Sequence, residues 1–166
     1  MVKAWGRSMR QKIYIETSVV SYLTARMSKD ILVAGHQAAT RDFWDTLDTY
    51  DTYISDIVIQ EASKGDKQQA EMRLAALAGL PMLSVDPAVK TLAKAMVGGR
   101  AIPAEFAEDA LHIAVAARHG IDAIVTWNFK HINNPFTRMM VRQIVENNGF
   151  ACPEICSPDE FMGEGS

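Results

Sequence analysis

The sequence lacks most of the features that would send it to a membrane, out of the cell or along a polyanion. No apolar run approaches the ~20 residues that a membrane-spanning helix needs, so no membrane segment is expected. The first dozen residues, MVKAWGRSMRQK, carry Lys3, Arg7, Arg10 and Lys12 but lead into no apolar core, so no export signal is expected. Residues 1–11 read as a loose tail. Cysteine is nearly absent, and Cys152 and Cys156 alone supply neither a zinc-ligand set nor a disulfide framework. Free thiols in a reducing cytoplasm are the expectation. An excess of base is missing too: 17 Lys and Arg face 20 Asp and Glu, for a net charge of −3. The remainder is more acidic once Lys3, Arg7, Arg10 and Lys12 are set aside. That excludes a protein that coats nucleic acid through a broad basic face. Any RNA binding has to be local and helped by cations.

What is present is an ordinary globular chain of 166 residues, 48% hydrophobic, without repeats or low-complexity segments. Its length suits one domain with one sizeable core. Short apolar runs at Lys12–Ile15, Thr52–Ile54, Pro81–Val85 and Ala123–Thr126 predict strands. Longer helical patterns separate them. Residues 30–50 place Ile31, Ala34, Ala38, Phe43 and Leu47 roughly on one side, and residues 67–78 repeat the pattern with Ala70, Leu74 and Leu77. Asp86 caps a predicted helix through Val97, and Pro103 opens another that runs to Gly120. A last helix is predicted over Thr137–Asn148, with Gly149 as its stop. Strands alternating with helices imply βαβ units, hence an α/β domain with a parallel sheet covered on both faces. Ligands in such sheets bind at the carboxyl ends of the strands.

Polar residues gather at those ends. The first strand runs into Glu16-Thr17-Ser18. Thr17 or Ser18 as a helix N-cap explains the hydroxyls but leaves Glu16 unexplained, because Glu is a poor N-cap. Ser55 caps the next helix, on which Glu61 falls under Ile57 and Val58, on the side expected to face the core. It is either a rim glutamate whose stem covers apolar surface or a paired or metal-bound one. In the small-residue helix that follows Pro103, Asp109 lies among Ala110, Ile113 and Ala114, with His112 one turn on. Asp109 favours a functional reading, and His112 that of a core or rim histidine bonded to a neighbour. The strand Ala123–Thr126 leads into Trp127-Asn128-Phe129-Lys130-His131, where Asn128 either makes a turn or contributes to a site.

Together these four segments resemble the PIN domain family from about Lys12 to Ser157. The family pattern is a first strand ending in Asp-Thr/Ser, a Ser-x-x-x-x-x-Glu helix, an Asp-Ala-x-x-Ala-x-Ala helix and a strand ending in Thr-x-Asp. The corresponding segments are Ile15-Glu16-Thr17-Ser18, Ser55 to Glu61, Asp109 to Ala116, and Thr126-Trp127-Asn128. Two positions depart from it: Glu16 replaces the first aspartate and Asn128 replaces the fourth acid. Asn128 offers a carbonyl but no charge. The Ile-Glu-Thr-Ser and Trp-Asn-x-x-His forms are similar to those of bacterial VapC-type toxins.

The resemblance implies a single PIN-like α/β/α sandwich over residues 12–157, with residues 158–166 as a C-terminal tail. It implies an endoribonuclease in which Mg²⁺ or Mn²⁺ is held by Glu16, Glu61 and Asp109, with Asn128 orienting water or metal. Thr17, Ser18 and Thr126 are the implied supports, and Trp127, Lys130 and His131 the implied RNA contacts. The implied partners are RNA, a cognate antitoxin and a second copy in a homodimer. Two rival readings compete: a PIN-like RNA- or protein-binding module weakened by Glu16 and Asn128, and a phosphoacceptor receiver domain, for which the acidic pair after the first strand is missing.

Overall fold

The computed structural model describes residues 10–162. The greater part of the expected N-terminal tail, residues 1–9, lies outside them. Five strands, β1 (Lys12–Ile15), β2 (Asp51–Ser55), β3 (Met82–Leu83), β4 (Ala123–Val125) and β5 (Glu154–Cys156), form one sheet in the order β3-β2-β1-β4-β5. Every neighbouring pair is parallel. Around the sheet lie α1 (Thr17–Thr24), α2 (Ile31–Trp44), α3 (Asp56–Ala62), α4 (Lys67–Leu77), α5 (Pro87–Gly98), α6 (Ala107–Arg118), α7 (Pro135–Asn147) and α8 (Pro158–Met162). The fold is thus the α/β one expected, a single parallel-sheet domain consistent with a PIN-like sandwich. No helix among the described residues is long and apolar enough to cross a membrane.

The middle strand explains the architecture. Ile13, Tyr14 and Ile15 are all fully buried, as a strand covered on both faces requires. From β1 the chain builds outward to β2 and β3, then crosses over to add β4 and β5 on the other side. The strand order therefore reverses between β1 and β4, where such sheets open a crevice at their carboxyl ends. The register Ile15↔Val125 sets Glu16 and Thr126 side by side at that crevice. Helix α6 can lie close to the sheet because its buried face is built from Ala110, Ile113, Ala114, Val115, Ala116 and Ala117. It stops as expected at Gly120, whose φ of 70° closes the last turn while the amide of Ile121 bonds the carbonyl of Ala116.

Several expectations need correction. The pattern over residues 30–50 breaks at Trp44, and a short 3₁₀ turn at Leu47–Thr49 leads into β2. Its buried face keeps the expected Phe43 but otherwise differs. Ile31 is 87% exposed, whereas Gln37, Thr40 and Phe43 are buried. Gln37 is drawn inward because its amide bonds the carbonyls of Ala25 and Arg26 and the amide of Ser28. Pro103 opens a 3₁₀ turn, Ala104–Phe106, before α6 begins. The edge strand β5 was not expected. Of the proposed tails, residues 1–9 and 163–166 lie outside the described residues, and the described parts make contacts of their own. Arg10 reaches the carbonyls of Asp48 and Tyr50 and the carboxylate of Asp51. Residues 158–162 form α8, where Phe161 packs edge-on against Phe43 and Tyr50.

Candidate functional site

Glu16 leaves the end of β1 and is 95% buried, a position that is costly for a carboxylate without partners. It is also the N-cap of α1, the role the sequence reading denied to it. Its Oε1 accepts from the Ser18 amide at 3.2 Å, the Ser18 hydroxyl at 2.5 Å and the Thr126 hydroxyl at 2.6 Å. Thr126 in turn receives the Asn128 amide at 2.9 Å, and Ser18 receives that of Trp127 at 2.8 Å. Ser18 and Thr126 thus link the first strand end to the fourth.

Glu61 projects from α3 toward the same crevice. Its Oε1 accepts from Thr17 at 2.5 Å and from His112 Nε2 at 2.8 Å. Both carboxylates are therefore anchored through one oxygen. No described residue hydrogen-bonds Oε2 of either, and no buried side-chain polar atom among the described residues lacks a partner. Among the described residues both Oε2 atoms therefore keep their capacity to accept a further partner. Burial alone would raise the Glu61 carboxyl, but the hydrogen bond and charge of His112, with help from Thr17, hold it below its ordinary value.

His112 is fully buried, bonded through Nε2 to Glu61 and through Nδ1 to the Tyr14 hydroxyl at 2.7 Å. Tyr14 continues to Ser55 Oγ at 2.7 Å, and Ser55 caps α3 by accepting from the Ile57 amide. Burial pushes the imidazole down, but the bond to Glu61 and the charges of Glu16, Glu61 and Asp109 outweigh it, so His112 holds its proton more tightly than usual. Burial also pushes the Tyr14 phenol well up.

Asp109 stands beside this pair. Burial and the negative charge of Glu16 raise its carboxyl, offset in part by the charge of His112, the nearby Asn128 amide and the charge of His131. His131 Nδ1 lies 3.3 Å from Asp109 Oδ2, and its ring stacks under Phe106 with centroids 3.7 Å apart. Asn128 closes the turn by accepting from the His131 amide at 3.0 Å.

Glu16 and Glu61 therefore meet as expected, with Asp109 and Asn128 adjoining them. The tight group, with one possible ligand atom from each residue all within 4.8 Å of one another, contains His112 where Asp109 was expected. Trp127 does not fit a base-stacking role: it is 95% buried, stacked on His36 at 4.1 Å and bonded through Nε1 to Thr40. Lys130 is exposed, and His131 is occupied by Asp109 and Phe106. Sequence reasoning missed Tyr14 as part of the site. The signal was a phenol in the middle of a strand buried on both faces, where its hydroxyl has to find a partner. No family model, curated protein or solved structure matches the chain.

Proposed function

We propose that this chain is a metal-dependent endoribonuclease resembling PIN domains of the VapC type, and that Glu16, Glu61 and Asp109 hold Mg²⁺ or Mn²⁺. The observation that carries the reading is the shared state of the two glutamates. Each is fixed through Oε1 at the crevice between β1 and β4, and no described residue bonds its Oε2. Hard-cation sites are built from such oxygens. The rise in the Asp109 carboxyl, caused in part by Glu16, is the strain that a cation would relieve. A bound divalent ion would supply Lewis-acid activation of water and charge neutralisation at a phosphodiester.

The protein's own groups do the remaining work. Ser18, Thr126 and Thr17 fix the glutamates before substrate arrives, which avoids reorganisation during the reaction. Lys130, exposed beside Asn128 and His131, supplies local positive charge for a phosphate on an otherwise acidic chain. An RNA substrate, a cytoplasmic setting, a homodimer and a cognate antitoxin belong to the same reading.

The competing reading, a binding module without catalysis, is favoured by one observation: Asn128 gives the site one carboxylate fewer than the PIN pattern. Incubation of a mixed single-stranded RNA with purified protein separates the two. The expected result is cleavage in Mn²⁺, none in EDTA, and a loss of about 100-fold or more in Asp109→Asn and Glu16→Gln. RNA bound but left intact by the parent supports the binding module. Undiminished cleavage by Asp109→Asn overturns the assignment of the site.

A further inference from the structure

The chain of buried hydrogen bonds behind Glu61 begins and ends on the same helix. Ser55 is the N-cap of α3 and Glu61 lies near its end. Between them Tyr14, from the central strand, and His112, from α6, complete a path with successive separations of 2.7, 2.7 and 2.8 Å. Ser55, Tyr14 and His112 are all fully buried. The path ties α3 at two points to two other elements, and so fixes both where the helix sits and which oxygen of Glu61 faces inward.

We propose that Tyr14 and His112 are positioning residues, a buried relay that holds the Glu61 carboxylate in place for a bound cation, and that His112 is not itself a ligand. The inference rests on the metal-site reading given above. The proximity of His112 to both glutamates would otherwise recommend it as a ligand, and hydrogen-bond chemistry argues against that. A carboxylate that holds a cation is ionised and can only accept, so His112 Nε2, 2.8 Å from Glu61 Oε1, must carry a hydrogen. A nitrogen that carries a hydrogen has no lone pair for a metal. The other nitrogen is committed to Tyr14. Both protonation states of the imidazole satisfy the chain. In the neutral ring the Tyr14 hydroxyl donates to Nδ1. In the cation Nδ1 donates to Tyr14, which donates to Ser55. Each leaves the Nε2 hydrogen on Glu61. Partners behind a ligand usually change metal affinity by about 10- to 100-fold when removed.

The test uses the full-length protein, Mn²⁺ as the probe, and the variants Tyr14→Phe, His112→Gln, His112→Ala and Glu61→Gln. Nitrogen NMR of the metal-free parent should show an Nε2-bound proton in slow exchange on His112. That signal should move in Glu61→Gln, and the Nδ1 signal should move in Tyr14→Phe. With Mn²⁺ bound, paramagnetic resonance should show no directly coordinated nitrogen. Affinity should fall about 10-fold or more in His112→Ala, less in His112→Gln, which keeps an N–H, and several-fold in Tyr14→Phe. Tyr14→Phe removes a single oxygen and keeps the ring, so a folding failure in His112→Ala leaves the inference open to test. A directly coordinated nitrogen that disappears in His112→Gln, or a Tyr14→Phe protein with the parent's affinity and imidazole signals, overturns the proposal. A parent that shows the imidazole signals but binds no Mn²⁺ overturns the metal-site reading and with it the purpose given to the relay.

Discussion

Glu16 and Thr126 stand 110 residues apart in the chain and share a 2.6 Å hydrogen bond across the ends of β1 and β4. The bond exists because those strands are parallel neighbours whose ladder runs up to Ile15↔Val125. Thr126 is fully buried, and the same hydroxyl accepts from the Asn128 amide. It therefore couples a carboxylate, a strand end and the turn that carries Asn128 and His131.

Thr126→Val removes that hydroxyl while keeping the shape of the side chain. The amide of Asn128 and the buried carboxylate of Glu16 each lose a partner. A loss of about 1–3 kcal/mol is expected, read as a lower urea midpoint. Thr126→Ser should recover most of it, and a Val variant as stable as the parent would show that the bond contributes nothing.

Asn128→Asp restores the acid that the PIN pattern places here. The Asn128 side chain lies close enough to Asp109 to help lower its carboxyl, so a carboxylate in its place sets a like charge against it. Melting temperature in EDTA should fall, and the stabilisation produced by Mn²⁺ should grow beyond the parent's, because a ligand that binds only the folded state stabilises it according to its affinity. Melting curves with and without Mn²⁺ decide it, and an unchanged Mn²⁺ response would place position 128 outside the cation's reach.

The Glu61–His112 pair predicts the pH dependence of the metal-free protein. Glu61 is lowered from 4.5, so its contribution to stability is complete above that value and lost as pH falls through the folded-state pKa. His112 is raised from 6.5, so its contribution is complete below 6.5 and lost as pH rises through the folded-state pKa. The pair therefore stabilises most between those two ordinary values. Asp109, raised from 3.8, adds a term of opposite sign to that of Glu61: its gain is complete below 3.8 and disappears as pH rises through the folded-state value. Urea midpoints in EDTA across about pH 3 to 9 should fall at both ends for the parent, with both slopes flatter in Glu61→Gln. Equal slopes in the two proteins would mean that the pair is not ionised as described.

Phe161 tests the boundary of the domain. It packs against Phe43 and Tyr50 at centroid separations of 5.8 and 5.0 Å. Because the side chain is only half-buried, Phe161→Ala should cost about 1–3 kcal/mol, less than a fully buried phenylalanine. Chemical denaturation gives the value. A protein as stable without the ring would return residues 158–162 to the status of a tail.

The sequence by itself determined the α/β class, four of the five strands, the placement of Glu16, Ser55 and Asn128 at or beside strand ends, and that of Asp109 on a helix facing the sheet. Those features are written in local patterns: apolar runs, capping residues such as Asp86, and a glycine stop at Gly120. Short elements were not legible. β5 (Glu154–Cys156) has Ile155 as its one buried residue rather than an apolar run, and α8 has five residues, too few for a helical period to show. Burial of Gln37 and Thr40 was hidden as well, because the loop carbonyls and the Trp127 indole that satisfy them are distant in sequence. Only the tertiary structure decided the partners of the carboxylates. His112 is 51 residues from Glu61 and 98 from Tyr14, and it meets both because α6 lies closely over the sheet beside α3. A side chain's sequence position gives the face on which it lies; which of its atoms are already bonded, and which remain free for a ligand, depends on elements that only folding brings together.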